Sequence, residues 1–296
     1  MPKPFVRTFL GLLFAFSTAC AAQSAAPSPT ETVIFAVGDL AQCDLVAPDE
    51  LPTAKVAHLV EGNADPILML GDLAYPDGSK QDFLHCFDPP WGKFKERIFP
   101  VPGNHEYHAA GAAPYYTYFG ERAGVAKEGY YATQIGSWRV IGLNSNVDVA
   151  AGSAQERWLR DELTAHPARC TLAFWHHPRF SSGQHGDAPS MNTIWRDLYN
   201  ARVDVVLAGH DHDYERFAPQ GALGERDDQR GIREFVVGTG GAALRPLAHI
   251  EANSEARNSD SFGVLKLTLR DKSYAWDFVP VDGNGFRDHG EALCQE

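Results

Sequence analysis

The sequence predicts an α/β fold with its chemistry at the carboxyl edge of a sheet, on three observations. Thr32 to Val37 is a β-branched apolar run that ends in Gly38-Asp39. A helical pattern over Thr53 to Val60 follows, with Val56, Leu59 and Val60 on one face, and Pro66 to Leu70 is a second apolar run that again ends in Gly-Asp, here Gly71-Asp72. Strand, helix, strand is a βαβ unit, which sets the residues after both strands on the same edge. The glycine before each carboxylate permits tight backbone geometry that turns the acid inward.

What precedes this unit is not read as fold. Lys3 and Arg7 lead an apolar run from Phe9 to Phe16, followed by small residues through Ala26. This is the pattern of a secretory signal peptide, about 1–26, and the run is too short to span a bilayer. Cleavage is expected after an Ala-x-Ala pattern such as Ala19-Cys20-Ala21. A lipidated Cys20 is the alternative, against which Ser17 stands where a branched aliphatic residue is preferred. The expected location is therefore exported, periplasmic or secreted.

Residues 31–296 carry no Pro- or Ser-rich linker and no internal repeat, and they are long enough for one domain with a large core. The formal charge of the chain is -12, and removing Lys3 and Arg7 takes it to -12 - 2 = -14. Such a surface argues against nucleic acid or anionic membrane as the main partner. A small phosphorylated substrate remains open, because bound cations reverse the sign locally. Cys43, Cys86, Cys170 and Cys294 follow the leader, an even number that suggests two disulfides in an exported chain. Cys43–Cys86 is the favoured first pair because both follow candidate metal loops. Cys170–Cys294 would tie the C-terminus to a central strand.

Along the chain, Gln81 to Arg97 is mixed and aromatic and turns helical toward its end. Ile98-Phe-Pro-Val101 is a third short strand, entering Pro102-Gly103-Asn104-His105-Glu106. Ala109 to Gly120 is rich in Ala, Gly and Tyr with little pattern, and its tyrosines, Tyr115, Tyr116 and Tyr118, are candidates for one wall of a cleft. Tyr130 to Ile135 and Trp138 to Leu143 form a hairpin about Gly136-Ser137. Ser153-Ala-Gln-Glu156 is a capping box opening a helix that carries Leu159 and Leu163 and stops at Pro167. Cys170 to Trp175 is an apolar strand ending in His176-His177, and a loop from Ser181 to Asp187 holds His185. A helix with Ile194 and Leu198 inward then leads to a strand from Val203 to Leu207 that ends in Gly209-His210-Asp-His212.

Beyond it, Phe235 to Val237 enters Gly238-Thr-Gly-Gly241. This cluster lacks the lysine and the following helix of a phosphate cradle and reads as a tight turn near the site. Ser254 to Asp260 reads as a polar loop. Val264 to Leu269 and Tyr274 to Val281 alternate and should pair antiparallel, with Tyr274, Trp276 and Phe278 in the core.

Asp39, Asp72, Tyr75, Asn104, His176, His210 and His212 thus stand at the ends of five apolar strands. Each alone has an ordinary explanation; a strand-end His-x-His also serves as a hydrogen-bonded loop, and an Asn-His pair as an exposed turn. Together they are about the number of ligands two metal ions require, and Asp72, in the middle, is the natural bridge.

Gly38-Asp39, Gly71-Asp72-x-x-Tyr75, Gly103-Asn104-His105-Glu106, His176 and Gly209-His210-x-His212, in this order, resemble the five blocks of the calcineurin-like metallophosphoesterases. Tyr75, three residues after the second aspartate, resembles the purple acid phosphatase branch, in a compact exported bacterial form. Leu40-Ala41 departs from the aromatic-Gly usual in the first block, which bears on loop shape rather than on the ligand. The resemblance implies a four-layer α/β/β/α sandwich with the site at the carboxyl edges of both sheets.

It further implies that Asp39, Tyr75 and His212 hold one metal and Asn104, His176 and His210 a second, with Asp72 bridging. Hard anionic donors at the first suit Fe(III); an amide and two imidazoles at the second suit divalent Zn, Mn or Fe. The activity implied is an acid phosphatase-like hydrolysis of phosphate esters, monoesters first, by a hydroxide held between the metals and attacking phosphorus in line. His105 and His185 match the family's histidines that contact phosphate or protonate the leaving oxygen. Phosphodiesterase or nucleotidase action by the same site is the alternative; a metal-dependent binding protein without turnover is the alternative of another class. His177 and Arg179 adjoin a ligand and are given no role, and His58, His85, His108, His166, His249 and His289 are read as ordinary residues.

Overall fold

The computed structural model describes residues 1–4, 31–42, 51–125, 127–283 and 285–295. Most of the expected signal peptide, Cys20 and the Cys43 half of the expected Cys43–Cys86 pair lie outside the described residues. In chain order the strands are β1 (Thr32–Val37), β2 (Ile67–Met69), β3 (Ile98–Pro100), β4 (Tyr131–Ile135), β5 (Trp138–Gly142), β6 (Thr171–Phe174), β7 (Val205–Ala208), β8 (Tyr214–Phe217), β9 (Arg233–Val237), β10 (Ser254–Asn258), β11 (Gly263–Arg270), β12 (Ser273–Pro280) and β13 (His289–Leu293). They form a six-stranded sheet in the order β13-β12-β11-β1-β2-β3 and a seven-stranded sheet in the order β10-β8-β9-β7-β6-β5-β4.

Alternation along the strands explains why the two sheets stack. Ile34 and Ala36 of β1, Leu265 and Leu267 of β11, and Trp276 and Phe278 of β12 pack against Val140, Leu172, Phe174, Val205, Leu207 and Phe235 of the other sheet. The opposite faces are covered by helices. Phe35, Val37, Ile67 and Met69 pack on the helix Pro52–His58, on the helical stretch 80–97 and on the helix Ala113–Phe119. Ile141, Ala173, Val206 and Val236 pack on the helices Ala154–Ala165 and Asn192–Asn200 through Leu159, Ile194 and Leu198. The result is helix, sheet, sheet, helix. Each large apolar side chain buried here contributes roughly 1.5–3 kcal/mol relative to exposure, so a one-residue register slip, which would swap faces, is strongly disfavoured.

Both sheets are parallel where the site lies: β1, β2 and β3 in one, and β5, β6, β7 and β9 in the other. Their carboxyl ends therefore meet at one edge, where Gly38 N–H donates to Val237 O at 2.9 Å and Gly240 N–H to Gly38 O at 3.0 Å. The glycine turn after β9 crosses directly beneath the first loop.

Several sequence expectations are corrected. Ser254 to Asn258, expected as loop, is an edge strand paired antiparallel to β8; its half-exposed polar alternation carries no apolar signal. The stretch 80–97 is helical from its start, not only toward its end. Ala113–Phe119 is a helix, and Tyr115 is not a cleft wall but core, donating to Pro100 O at 3.1 Å. Only half of the expected capping box forms: Ser153 Oγ accepts from Glu156 N–H at 3.2 Å, while the Glu156 carboxylate accepts from Gly152 N–H at 2.9 Å.

The Cys170–Cys294 disulfide is present, with Cα atoms 5.6 Å apart, and it fastens the last strand beside β6. Among the described residues no helix is long and apolar enough to cross a membrane.

Candidate metal centre

Five loops, each at the carboxyl end of a parallel strand, bring the seven strand-end residues together: Asp39 after β1, Asp72 and Tyr75 after β2, Asn104 after β3, His176 after β6, and His210 and His212 after β7. The turns are sharper than glycine alone makes them. Asp39, Asp72 and His210 themselves take left-handed backbone, with φ of 59, 52 and 73°. Aspartate and histidine enter that region more readily than most side chains, although it is sparsely used by any residue but glycine. Gly103 and Gly209 give clearance rather than φ: a Cβ on Gly103 would lie 2.1 Å from Asp72 Oδ1, and one on Gly209 2.7 Å from Asp39 Oδ2.

The donor atoms fall into two sets that share Asp72. In the first, Tyr75 Oη lies 3.0 Å from Asp39 Oδ1, 3.2 Å from Asp72 Oδ2 and 3.2 Å from His212 Nε2. His212 Nε2 is in turn 3.4 Å from Asp39 Oδ1. In the second, His176 Nε2 lies 3.0 Å from Asn104 Oδ1, 3.2 Å from His210 Nδ1 and 3.3 Å from Asp72 Oδ2. Separations near 3 Å are those between ligands around one cation whose metal–ligand bonds are about 2.0–2.2 Å long.

The remaining polar atoms of His176, His212, Asp39 and Asp72 are committed, which fixes the direction their donor atoms face. His176 Nδ1 bonds Leu70 O at 2.8 Å, and His212 Nδ1 bonds Ala243 O at 2.8 Å. Asp39 Oδ2 accepts from His210 N–H at 2.8 Å, and Asp72 Oδ1 from His105 N–H at 2.9 Å. Such outer hydrogen bonds set ring orientation and leave the other nitrogen for a metal.

Glu106 closes the Gly103-Asn104-His105-Glu106 motif with no role evident from sequence, and the structure supplies one. It is fully buried and wraps the Asp72 loop, its Oε2 accepting from Asp72 N–H and Gly103 N–H, its Oε1 from Leu73 N–H and Ala74 N–H. Asp211 does the same for the Ser181–Asp187 loop, accepting from His185 N–H at 2.8 Å and Gly186 N–H at 3.2 Å. Neither has a periodic signal in sequence; the only cue is an acid inside a ligand motif, Glu106 two residues after Asn104 and Asp211 between His210 and His212.

Charge within the cluster is mutually adjusted. Burial pushes the Asp72 carboxyl up, but the His176 charge and hydrogen bond, with His105 beside them, overcome it and hold the group below the usual carboxylate range. Burial pushes His176 down and the Asp72 charge lifts it further, to about 9. Burial, then His176, keeps His210 neutral by moving it far below its ordinary value. Tyr75 is pushed well above 10 by burial and by Asp39 and Asp72. In His210 a neutral imidazole nitrogen therefore faces His176 Nε2 at 3.2 Å, beside carboxylates, amide and phenol. Two carboxylates, a phenol, an amide oxygen and three imidazoles aimed inward fit a pair of cations.

Around this cluster His105 is held by Nδ1 on Pro76 O; its ring lies 4.3 Å from that of Tyr75, and its Nε2 stands 3.8 Å from Asp72 Oδ2. His185 packs over His210, ring centroids 4.2 Å apart, and its Nε2 receives the Arg245 guanidinium at 2.5 Å. His177, given no role from sequence, lies 4.4 Å from the His210 ring, with Nδ1 on Ser145 Oγ at 2.7 Å. Among the described residues, of the other histidines only His108 meets these rings, tilted against His105 with centroids 4.7 Å apart. Cys170, Asp204 and Cys294 also cluster, but the two sulfurs are spent on each other.

Residues 32–214 match the calcineurin-like phosphoesterase family. Purple acid phosphatase 22 of Arabidopsis thaliana is 28% identical over 279 residues, covering 83% of this chain and 59% of that protein. The chain thus spans little more than half the length of such curated relatives. The structure of purple acid phosphatase PPD1 from yellow lupin seeds superposes with a TM-score of 0.77 at 18% identity, covering 90% of this chain and 55% of that one. GAP50, described as the anchor in the inner membrane complex of Plasmodium, superposes with a TM-score of 0.69 at 12% identity and covers 90% of both chains. At these identities the two structures speak for the fold. The sequence match over 32–214 goes further, and by it the chain belongs to the calcineurin-like phosphoesterase family.

Proposed function

We propose that this chain hydrolyses phosphate esters, monoesters first, at a two-metal centre built by Asp39, Asp72, Tyr75, Asn104, His176, His210 and His212. The observation that carries the reading is the pair of donor sets closing on one Asp72 oxygen, at 3.2 Å from Tyr75 Oη and 3.3 Å from His176 Nε2. Bound cations supply an activated water nucleophile and neutralise charge on the phosphoryl oxygens. Asp39, Tyr75 and His212, with Asp72, form the harder set and suit Fe(III); Asn104, His176 and His210, with Asp72, suit divalent Zn, Mn or Fe.

The chain's own contribution is orientation and proton handling. Tyr75 donates its phenol O–H to Asp39 Oδ1 at 3.0 Å, and it would hold a cation as phenolate, with that proton released to solvent. His105, anchored through Nδ1, turns Nε2 toward Asp72 and can hold a phosphoryl oxygen or the leaving oxygen there. His185, fixed by Asp211 at its backbone, stands over His210 on the other side. We place the whole activity in one unit, 31–296, and read the N-terminal leader as a signal for export.

Two other readings share the site. A phosphodiesterase or nucleotidase needs only different cleft walls, and the likeness to an anchor protein keeps a non-catalytic binding role in view. The experiment is turnover of phenyl phosphate and of diphenyl phosphate by protein whose metal content has been measured. Monoester turnover with about two metals per chain supports the proposal, faster diester turnover replaces the substrate class, and no turnover of either by metal-loaded protein leaves the binding role.

A further inference from the structure

The segment from Gly241 to His249 is a strap over the metal edge. Ala242 N–H donates to Asp39 O at 2.9 Å, Ala243 O accepts the His212 ring, and Arg245 N–H donates to His212 O at 3.1 Å. At its far end Ala248 N–H donates to Ser182 O at 2.9 Å. Both ends are thus tied to site loops, one to the Asp39 and His212 backbone and the other to the loop that carries His185. Arg245 sits in the middle of this strap with its Nη1 on His185 Nε2 at 2.5 Å.

That arrangement is unusual for an arginine in a chain of formal charge -12. Among the described residues Arg245 has no carboxylate within ion-pair distance, whereas Arg179 pairs with Asp187 at 3.3 Å and lies 4.0 Å from the Phe180 ring. A half-buried guanidinium set against an imidazole rather than a carboxylate, with its own backbone N–H tied to His212 O, is a ready partner for an anion. Its position is outside the donor sets. His185 packs on His210, and Arg245 lies one hydrogen bond beyond His185. A phosphoryl group over Asp72 is therefore not the anion it faces most directly.

We propose that Arg245 binds a second anionic group of the substrate, carried by its leaving portion. This rests on the phosphoesterase reading above and narrows it: phosphoanhydrides, and phosphate esters with a phosphate or carboxylate close to the scissile bond, are preferred over esters of neutral alcohols.

The test compares two non-hydrolysable probes, methylphosphonate with one anionic group and methylenebisphosphonate with two. Binding is measured by calorimetry to metal-loaded protein, and metal content is determined before and after. Replacing a charge-assisted hydrogen bond by a neutral one costs about tenfold or more in affinity. Arg245→Gln should weaken methylenebisphosphonate about tenfold or more and methylphosphonate less than about twofold, with Arg245→Lys recovering part of the loss. Equal loss for both probes, or no loss for either, overturns the role of Arg245 while leaving the phosphoesterase reading intact. Failure of the wild-type, metal-loaded protein to bind either probe overturns both.

Discussion

Glu106 holds Asp72 from behind: its Oε2 accepts the Asp72 N–H at 2.9 Å and the Gly103 N–H at 2.7 Å, while Oε1 takes the next two backbone N–H groups. A left-handed aspartate at φ 52° is held by these bonds rather than by glycine. Backbone strain of this kind persists only where surrounding bonds over-determine it.

Glu106→Gln tests that hold. The amide keeps one acceptor and turns an NH2 toward backbone N–H groups, so at least one buried donor loses its partner. We expect a loss of about 2–3 kcal/mol in urea unfolding and a protein that carries fewer than the wild-type number of metals after identical loading. Full metal content with unchanged stability would mean the loop holds itself.

Gly103→Ala probes the same loop from the other side. Its Cβ would lie 2.1 Å from Asp72 Oδ1 and 2.4 Å from Asp72 N, so the carboxylate must move. Overpacking of this sort costs roughly 1–3 kcal/mol, and displacement of the shared carboxylate should lower the content of both metals together. Gly283→Ala, with nothing within 4 Å of the added methyl, is the control and should change neither.

Tyr75→Phe addresses the nature of the first metal. If a phenolate binds Fe(III), wild-type protein carries a broad visible charge-transfer band and the variant loses it while keeping protein-bound metal. An unchanged spectrum in metal-replete variant removes the ferric assignment.

How much of this was readable from the chain follows from which interactions leave a pattern. The strands that bear the candidate ligands are apolar runs buried on both faces, and β1, β2, β6 and β7 stand out for that reason. Edge strands such as β10 and β13, polar and half-exposed, show no such run and were missed or read as loop. Likewise the candidate ligands were legible because metal-capable residues recur after each strand, whereas Glu106 and Asp211 act on backbone N–H groups of other loops. That work depends on folded proximity, 34 residues away for Glu106 and Asp72. Tyr115 stands in an Ala-, Gly- and Tyr-rich stretch with too little pattern to set its face, so it reads as a candidate cleft residue, yet its ring packs in the core and its hydroxyl reaches Pro100 O at the end of β3.

His105→Ala separates proton handling from architecture. Its ring contacts Tyr75 and its Nε2 is 3.8 Å from Asp72 Oδ2, too far for it to be a needed support. We expect kcat for an aryl phosphate to fall by about 10²–10⁴ with metal content unchanged. A parallel loss of metal would make the residue structural.

Asp204 offers a pH test far from the metals, at the amino end of the strand whose carboxyl end carries His210. Its Oδ2 accepts from Thr171 N–H at 2.8 Å and its Oδ1 from Gln295 N–H at 2.6 Å, next to the Cys170–Cys294 bridge. Burial, partly offset by those hydrogen bonds, raises the carboxyl to about 6 from 3.8. The folded state therefore binds this proton more tightly than the unfolded state does. The stabilisation is fully present below pH 3.8, declines as pH rises, and is gone above about 6. The difference of about two pH units, at 1.36 kcal/mol each, bounds the effect at about 3 kcal/mol. Asp204→Asn cannot titrate, so the wild-type advantage over the variant in urea unfolding should shrink between pH 4 and pH 6.5, while turnover at the metal centre is unaffected. A wild-type advantage that grows over that range would mean the two backbone hydrogen bonds outweigh burial and the carboxylate is the preferred buried form.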